Sequence, residues 1–456
     1  MLHRRFTLLH AVSLNMSMMV GVGPFVTIPL LLQAVQGPQA SWIWVIGAIV
    51  AACDGLVWSE LAAAFPGSGG TYHFFDAVYG ERPVGRALKF LFVWQFLLSG
   101  PLEMASGMLG FSMYAGSLWP ALKGSLISVP MGFGLVWNVT GGNILAALTM
   151  ASLVVLAYRR IETAGKLMVF LWLGMLATVF WVIAVSWAHF HPEMAFKVPP
   201  GAFTLSSAMF AGMGTALGLA MYTYFGYYQV CYLGDEVSDP SRTIPRSMLL
   251  AIAAVATIYL AMNVGILGAI SWQDVMKSEY IGSDLMLKFY NQNWANLLSL
   301  LVMWSAVAGC FAALLGASRI PYAAAKAGHF FKVFASTHPT GDFPHLSLLL
   351  MGGVAILACL ADLQTVIEAL LTTRIVIQFM GQILTVIYLR TQPDMKARMP
   401  FRMPMFPLPA IVALIGWIWV FGASSRAALT VGSATIVVGM IAFLLWDKRV
   451  KGINEA

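Results

Sequence analysis

The sequence predicts an all-α membrane protein with twelve transmembrane helices. Two observations carry that reading. Apolar residues make up 59% of the 456, and Asp, Glu, Lys and Arg only 10%, against roughly 25% charged residues in a typical soluble protein. So few charges cannot cover a soluble globule of 49.5 kDa, and the mean hydropathy of +0.80 agrees. The apolar residues also gather into runs of the length, ~20 residues, that a helix needs to cross the hydrocarbon core. A soluble enzyme, a nucleic-acid binder and a disordered chain are thereby excluded. What remains is work done inside or across a bilayer.

Taken in order, the runs occupy residues 9–36, 40–64, 84–118, 142–158, 164–188, 205–233, 247–271, 294–326, 345–361, 364–390, 404–424 and 427–446. The first begins after His3-Arg4-Arg5 in the manner of a signal peptide, but it continues past Gly37 without a small-residue cleavage site and reads as a retained span. The third and eighth are long enough to tilt or to project beyond the bilayer. An even number of spans puts both termini on one side. That side receives 20 of the 26 Lys and Arg residues and the opposite side 5, with Arg374 inside a span. Positive charge stays cytoplasmic, so the expectation is a multi-pass cell-membrane protein with both termini inside. The net charge of +7 is then mostly topology. The longest connections, around Pro120–Asn143 and Ser271–Ala295, face outside and have room for short surface helices.

Two spans carry breaks. Gly21-Val22-Gly23-Pro24 interrupts the first, where two glycines ease unwinding and a proline lacks its amide hydrogen. The sixth contains Tyr224-Phe225-Gly226-Tyr227-Tyr228, with Gly226 the candidate break. A single glycine pair is well explained by close helix packing. Breaks opening each of two five-span halves point instead to an inverted-repeat transporter with its site at the midplane.

Further landmarks are Glu60-Leu61 and Pro66-Gly67-Ser68-Gly69-Gly70-Thr71-Tyr72 after span two, and Asp235-Glu236-Val237 with Pro240 and Ile244-Pro245 after span six. Ala317-Ser318-Arg319 ends span eight, and Leu389-Arg390-Thr391-Gln392-Pro393-Asp394 with Pro400-Phe401-Arg402 follows span ten. In this order along one chain they resemble the amino acid–polyamine–organocation permeases, from the first span to about residue 410. The resemblance implies a leucine-transporter-type fold. Residues 1–403 would form ten core helices in two inverted repeats, and 404–456 two peripheral helices and a cytoplasmic tail. It also implies that the substrate carboxylate sits on amides at Gly21, Val22 and Gly23, and the amine on carbonyls at Tyr224, Phe225 and Gly226. Half-helix dipoles favour that polarity.

The sequence departs from this pattern in places. Val22 stands between the glycines where many relatives have Ser or Thr, and Pro24 removes one amide donor. Gly23-Pro24 is a feature of polyamine carriers, yet Tyr228 aligns with the acidic residue those carriers place in span six. Gly174 aligns with the span-five lysine of sodium-independent relatives, with Lys166 eight residues upstream; at the expected depth span eight offers no Ser/Thr pair, only Ser305, which leaves a sodium site unsupported.

Three ionisable residues lie well inside spans: Asp54, Glu103 and Arg374. Each costs at least ~2.5 kcal/mol at the centre of an isolated helix, so each needs a partner or a task. At 1.5 Å per residue, Glu103 lies roughly 28 Å from the inner end of its helix and Arg374 roughly 15 Å from the outer end of its own, overlapping depths near the midplane. Glu103 is a candidate for pairing with a substrate amine, for carrying the coupling proton, or for a structural ion pair. Asp54 reads more as structural, because span two does not usually line the site in the resembled fold. Arg374 is placed to neutralise either acid or to gate the outer path.

Other chemistry is thinly represented. Cys53, Cys231, Cys310 and Cys359 lack ligand spacing and read as small buried hydrophobes, so no metal or cofactor is expected. None of the eight histidines falls mid-span. The 66–70 segment lacks the Gly-Lys-Ser/Thr of a phosphate loop. Asn138-Val139-Thr140 fits a glycosylation sequon. The expected function is a secondary transporter, not an enzyme, moving an amino acid or related organic amine by alternating access with proton coupling or exchange. A polyamine carrier is the alternative, and a substrate-gated channel or membrane sensor the competitor from another class. The expected partners are a small-molecule substrate, a proton as coupling ion and the lipid bilayer, with no nucleic acid and no protein partner.

Overall fold

A computed structural model describes residues 7–67, 69–132, 135–158, 164–204, 206–339, 343–393 and 399–454. The basic residues Arg4, Arg5, Arg159, Arg160, Lys396 and Arg398, the side chain of Lys166, and the landmark positions Ser68 and Asp394 lie outside the described residues.

The first run divides into α1 (Leu8–Met19) and α2 (Gly23–Val35), bent by 51° at the Gly21–Gly23 break. Then come α3 (Ala40–Ala64), the short α4 (Thr71–Tyr79), α5 (Pro83–Leu118), α6 (Gly141–Tyr158), α7 (Ala164–Ala188), α8 (Pro192–Phe196) and α9 (Ser207–Tyr224). The second part contains α10 (Pro240–Ala269), α11 (Trp272–Lys277), α12 (Ile281–Phe289), α13 (Gln292–Ala317), α14 (Arg319–Lys326) and α15 (His345–Ala358). It ends with α16 (Leu363–Arg374), a π turn over Ile375–Met380, α17 (Gly381–Thr391), α18 (Leu408–Ala423) and α19 (Arg426–Asn454). Every predicted run therefore contains helix. Among the described residues six helices are long and apolar enough to cross a membrane, the bent α1–α2 pair makes a seventh, and shorter apolar helices accompany them.

The expectation of an all-α chain needs one correction. The first long connection folds as a hairpin, β1 (Ser125–Gly132) paired antiparallel with β2 (Leu135–Thr140), with Ser128 opposite Asn138 and Val129 opposite Trp137. Serines interspersed with Ile127, Val129, Val136, Trp137 and Val139 suit a pleated ribbon better than a helix.

The second long connection holds the two short helices its length allowed, α11 and α12. Of these, α12 lies on α2 and α13: a Cβ at Gly282 would stand 2.8 Å from Leu298 and 3.2 Å from Phe25. Asp284 on this helix accepts from Ser278 at 2.5 Å, yet burial raises its carboxyl above the usual range. The folded state then binds the proton more tightly than the unfolded chain, so this group lowers stability as pH rises above about 4. Asp284→Asn is expected to flatten that part of the Tm-against-pH curve, which thermal unfolding in detergent at several pH values measures.

Two polar clusters tie the predicted cytoplasmic end together. The Glu60 carboxylate, fully buried on α3, takes both arms of Arg390 on α17 at 2.5 and 2.8 Å and the Met403 amide at 2.7 Å, so two sequence landmarks meet beside the residue that follows a third. The Lys89 ammonium is fully buried and donates to Asp76 at 2.6 Å and Glu81 at 2.9 Å, with His329 at 3.2 Å. Its hydrogen bond holds the Glu81 carboxyl below the usual range. The ligand atoms of Asp76, Glu81 and His329 lie within 4.8 Å of one another, but Lys89 already supplies the positive charge a metal would bring there.

Candidate substrate and coupling site

The two breaks face each other. The half-helices α2 and α9 pack together, and the Cβ that Gly23 lacks would stand 3.0 Å from Thr223. The other halves also meet, α1 against the 3-10 segment Gln229–Glu236, where the Val230 amide donates to Asn15 Oδ1 at 2.9 Å. Gly226, at φ +111°, makes this crossing possible: its missing Cβ would stand 2.6 Å from Met18 Cβ and 3.0 Å from the Met19 nitrogen. Glycine is the residue for both constraints, a left-handed backbone and a close approach.

Breaking a helix strands backbone groups. Tyr259 on α10 satisfies one carbonyl from each break, its hydroxyl standing 2.6 Å from Met19 O and 3.2 Å from Thr223 O. Among the described residues no acceptor takes the amides of Gly21, Val22 or Gly23. These three residues line a cavity of about 80 Å³ together with Glu103, Thr223 and Phe225. Its chemistry suits a small zwitterion, with free amides at the N-terminus of α2 and the carbonyl end of α9 opposite.

Glu103 and Arg374, at overlapping depths by sequence, are in contact. The guanidinium donates to Glu103 Oε2 at 2.6 Å, to Ser99 Oγ at 3.1 Å and to the Tyr228 hydroxyl at 3.1 Å. Its carbon lies 5.5 Å from the Phe96 ring centroid and 5.6 Å from that of Phe225, two cation–π contacts. Tyr228 in turn stacks on Trp58, centroids 4.6 Å apart. Arg374 is 1% exposed, whereas the Glu103 side chain is 26% exposed, because Glu103 also lines the cavity. A second cavity, sharing Met18, Glu103 and Ala313 with the first, is lined by Arg374, Tyr228 and Tyr232.

The remaining candidates lie elsewhere. Tyr224, whose carbonyl is the candidate group, turns its side chain away, the hydroxyl donating to the Trp44 carbonyl at 3.1 Å. Gly226 supports the crossing and does not line the first cavity. Asp54 is fully buried and receives Tyr227 Oη at 2.5 Å and Trp417 Nε1 at 3.1 Å, joining α3 to the sixth-span break and α18. Gly174 faces Trp304, with its missing Cβ 3.3 Å from the indole nitrogen. Tyr222 and Tyr259 escaped sequence reading: Tyr222 lines the cavity and donates to Ser106 at 2.9 Å. Periodicity shows that such tyrosines are in a span, but not which way they turn.

Comparison with known proteins bears on what this site does. The sequence pattern of the family described as amino acid permease matches residues 6–445. An uncharacterized transporter of Mycobacterium tuberculosis is 27% identical over 80% of this chain and 75% of its own length. The human cystine/glutamate transporter is 23% identical over 98% of this chain and 87% of its own. A serine/threonine exchanger of Bacillus subtilis is 22% identical over 96% and 95%. The match to the family spans both broken helices and the Glu103–Arg374 pair, and the chain belongs to the amino acid permeases of the amino acid–polyamine–organocation superfamily, a family of membrane transporters.

Proposed function

We propose that this transporter carries a small amino acid or related organic amine across the cell membrane by alternating access, coupled to a proton. Twelve spans with both termini cytoplasmic, five plus five in inverted repeat over residues 1–403 and two peripheral over 404–456, complete the reading. The observation that carries it is the convergence of both helix breaks and one ionisable side chain on a single small cavity. Amides at Gly21, Val22 and Gly23 bind the carboxylate, and the break at Phe225 presents carbonyls to the amine. The relatives named above include carriers of cystine and glutamate and of serine and threonine, which favours an amino acid.

Glu103 carries the proton. As a carboxylate it holds Arg374; once protonated it gives up the charge that makes the pair, leaving Arg374 to Ser99 and Tyr228. The same pairing disfavours a polyamine. A polycation needs several free anions, and the cavity lining offers one carboxylate that is already neutralised.

Counterflow in proteoliposomes tests the carrier. Vesicles loaded with unlabelled amino acid are expected to accumulate the labelled form transiently and saturably, and faster as trans substrate rises. Ohmic flux without trans-stimulation would assign a channel instead. Uptake of polyamine but not of amino acid would overturn the substrate class.

A further inference from the structure

Three glutamines are buried in the bundle with amide atoms that find no hydrogen-bond partner among the described residues. Gln95 on α5 is 1% exposed with Nε2 unpartnered. Gln378 in the π turn and Gln382 on α17 are fully buried, the first with both amide atoms unpartnered and the second with Oε1 unpartnered. Hydrocarbon tolerates such groups poorly, so they imply an unseen partner.

All three lie on two polar stripes that meet in a seam where span ten packs on α5 and α4, with α16 and the π turn against α5 and α17 against α4. Glu103, Ser99 and Gln95 recur every four residues along α5, which keeps them on one helix face. Arg374, Gln378, Gln382 and Thr385 recur along α16, the π turn and α17. The two polar stripes run antiparallel, because Arg374 bonds Ser99 and Glu103 at one level while Tyr79 and Arg82, just before α5, bond Thr385 at 3.2 Å and Tyr388 at 3.0 Å at the other. Between these levels Ser99 donates to Gln95 Oε1 at 2.9 Å, and Gln382 Nε2 donates to the Gln378 carbonyl at 2.9 Å. The Gln378 amide lies beside the Tyr228 hydroxyl without completing a hydrogen bond. From Arg374 to Thr385 is about 16 Å of helix.

We infer that water fills this seam and relays protons between Glu103 and the Tyr79–Tyr388 end, by a route separate from the substrate cavity. The inference rests on the proton-carrying role proposed above for Glu103. Amide and hydroxyl groups both donate and accept without net charge, so they order water without trapping an ion. In one cycle the Glu103 carboxyl gives its proton to the adjoining water, each water passes one on, and one proton leaves beside Tyr79. The carboxylate left behind pairs again with Arg374. The groups facing Glu103 are Arg374 on α16, Tyr222 on α9, Tyr228 and Tyr232 after the sixth-span break, and Cys310 on α13. Arg374 is the one cation in this set.

Gln95→Met and Gln382→Met keep side-chain length and remove the polar atoms, and neither residue touches the substrate cavity. The full chain is reconstituted in vesicles loaded with a pH-sensitive dye, using the labelled amino acid that gives counterflow. Counterflow at equal pH is expected to stay within twofold of the parent, while substrate-driven proton flux falls at least tenfold. Gln382→Asn, which keeps an amide, is expected to retain more proton flux than Gln382→Met. Parental proton flux in both methionine variants overturns the relay. Equal loss of flux and counterflow also overturns it, since that marks a structural role. A parent that exchanges amino acid but moves no proton refutes the relay and leaves the carrier intact. Absence of counterflow with any amino acid or amine refutes the carrier itself.

Discussion

Glu103→Gln is expected to cost more than Arg374→Met, although both break the same ion pair. The glutamine retains an oxygen for the guanidinium but leaves Arg374, 1% exposed, as a buried cation without a counter-charge. Arginine has no neutral form to retreat to in a protein. Glu103 has an escape in the reverse variant, because its 26% exposed carboxyl can take a proton from the cavity. Breaking a buried pair from one side costs roughly 3–5 kcal/mol. Glu103→Gln is expected at that level and Arg374→Met clearly below it, with part of the loss recovered in the double variant. Thermal unfolding in detergent across the double-mutant cycle measures all three. Transport gives a second reading: Glu103→Gln is expected to abolish uptake driven by a pH gradient. Unchanged substrate affinity and unchanged pH dependence in that variant would show that Glu103 has neither role assigned to it.

That pair also shows how far sequence reasoning reaches. Hydropathy and helical rise placed Glu103 and Arg374 at overlapping depths, and they stand 2.6 Å apart. The breaks were located by residue type, because glycine and proline write backbone disruption directly into the chain. Depth, however, is only one coordinate. Which way a side chain turns around its helix depends on neighbours far away in sequence. Asp54 reads as structural, but nothing in the sequence names Tyr227 and Trp417 as its partners. Tyr224, a candidate through its carbonyl by the family resemblance, turns its side chain to the Trp44 carbonyl. The buried glutamines were missed for another reason: they carry no charge, and an average over an apolar run hides them. A four-residue spacing of Gln, Ser and Glu along span three was the available signal. The hairpin at Ser125–Thr140 was misjudged because loop length alone says nothing about which secondary structure fills it.

The two glycines at the heart of the site should separate backbone architecture from substrate contact. Gly226→Ala is expected to be strongly damaging. Its φ of +111° lies where side chains are strained, and the added carbon would meet Met18 Cβ at 2.6 Å and the Met18 carbonyl carbon at 2.9 Å. Strain of this kind costs about 1–3 kcal/mol, and overpacking against rigid backbone a further 1–3 kcal/mol. The variant should therefore lose thermal stability and most of its transport together, because α1 and the segment after the sixth-span break can no longer cross. Gly21→Ala makes the opposite case. Its added carbon meets nothing within 4 Å, since it projects into the cavity of about 80 Å³. Folding should be unaffected, yet a methyl in a fitted pocket is worth roughly 1–3 kcal/mol, so KM should rise tenfold or more at unchanged Tm. Measuring Tm and counterflow kinetics on both variants decides the matter. If Gly21→Ala bound substrate as the parent does, the first break would not be where the carboxylate sits, whatever Gly226→Ala did to the fold.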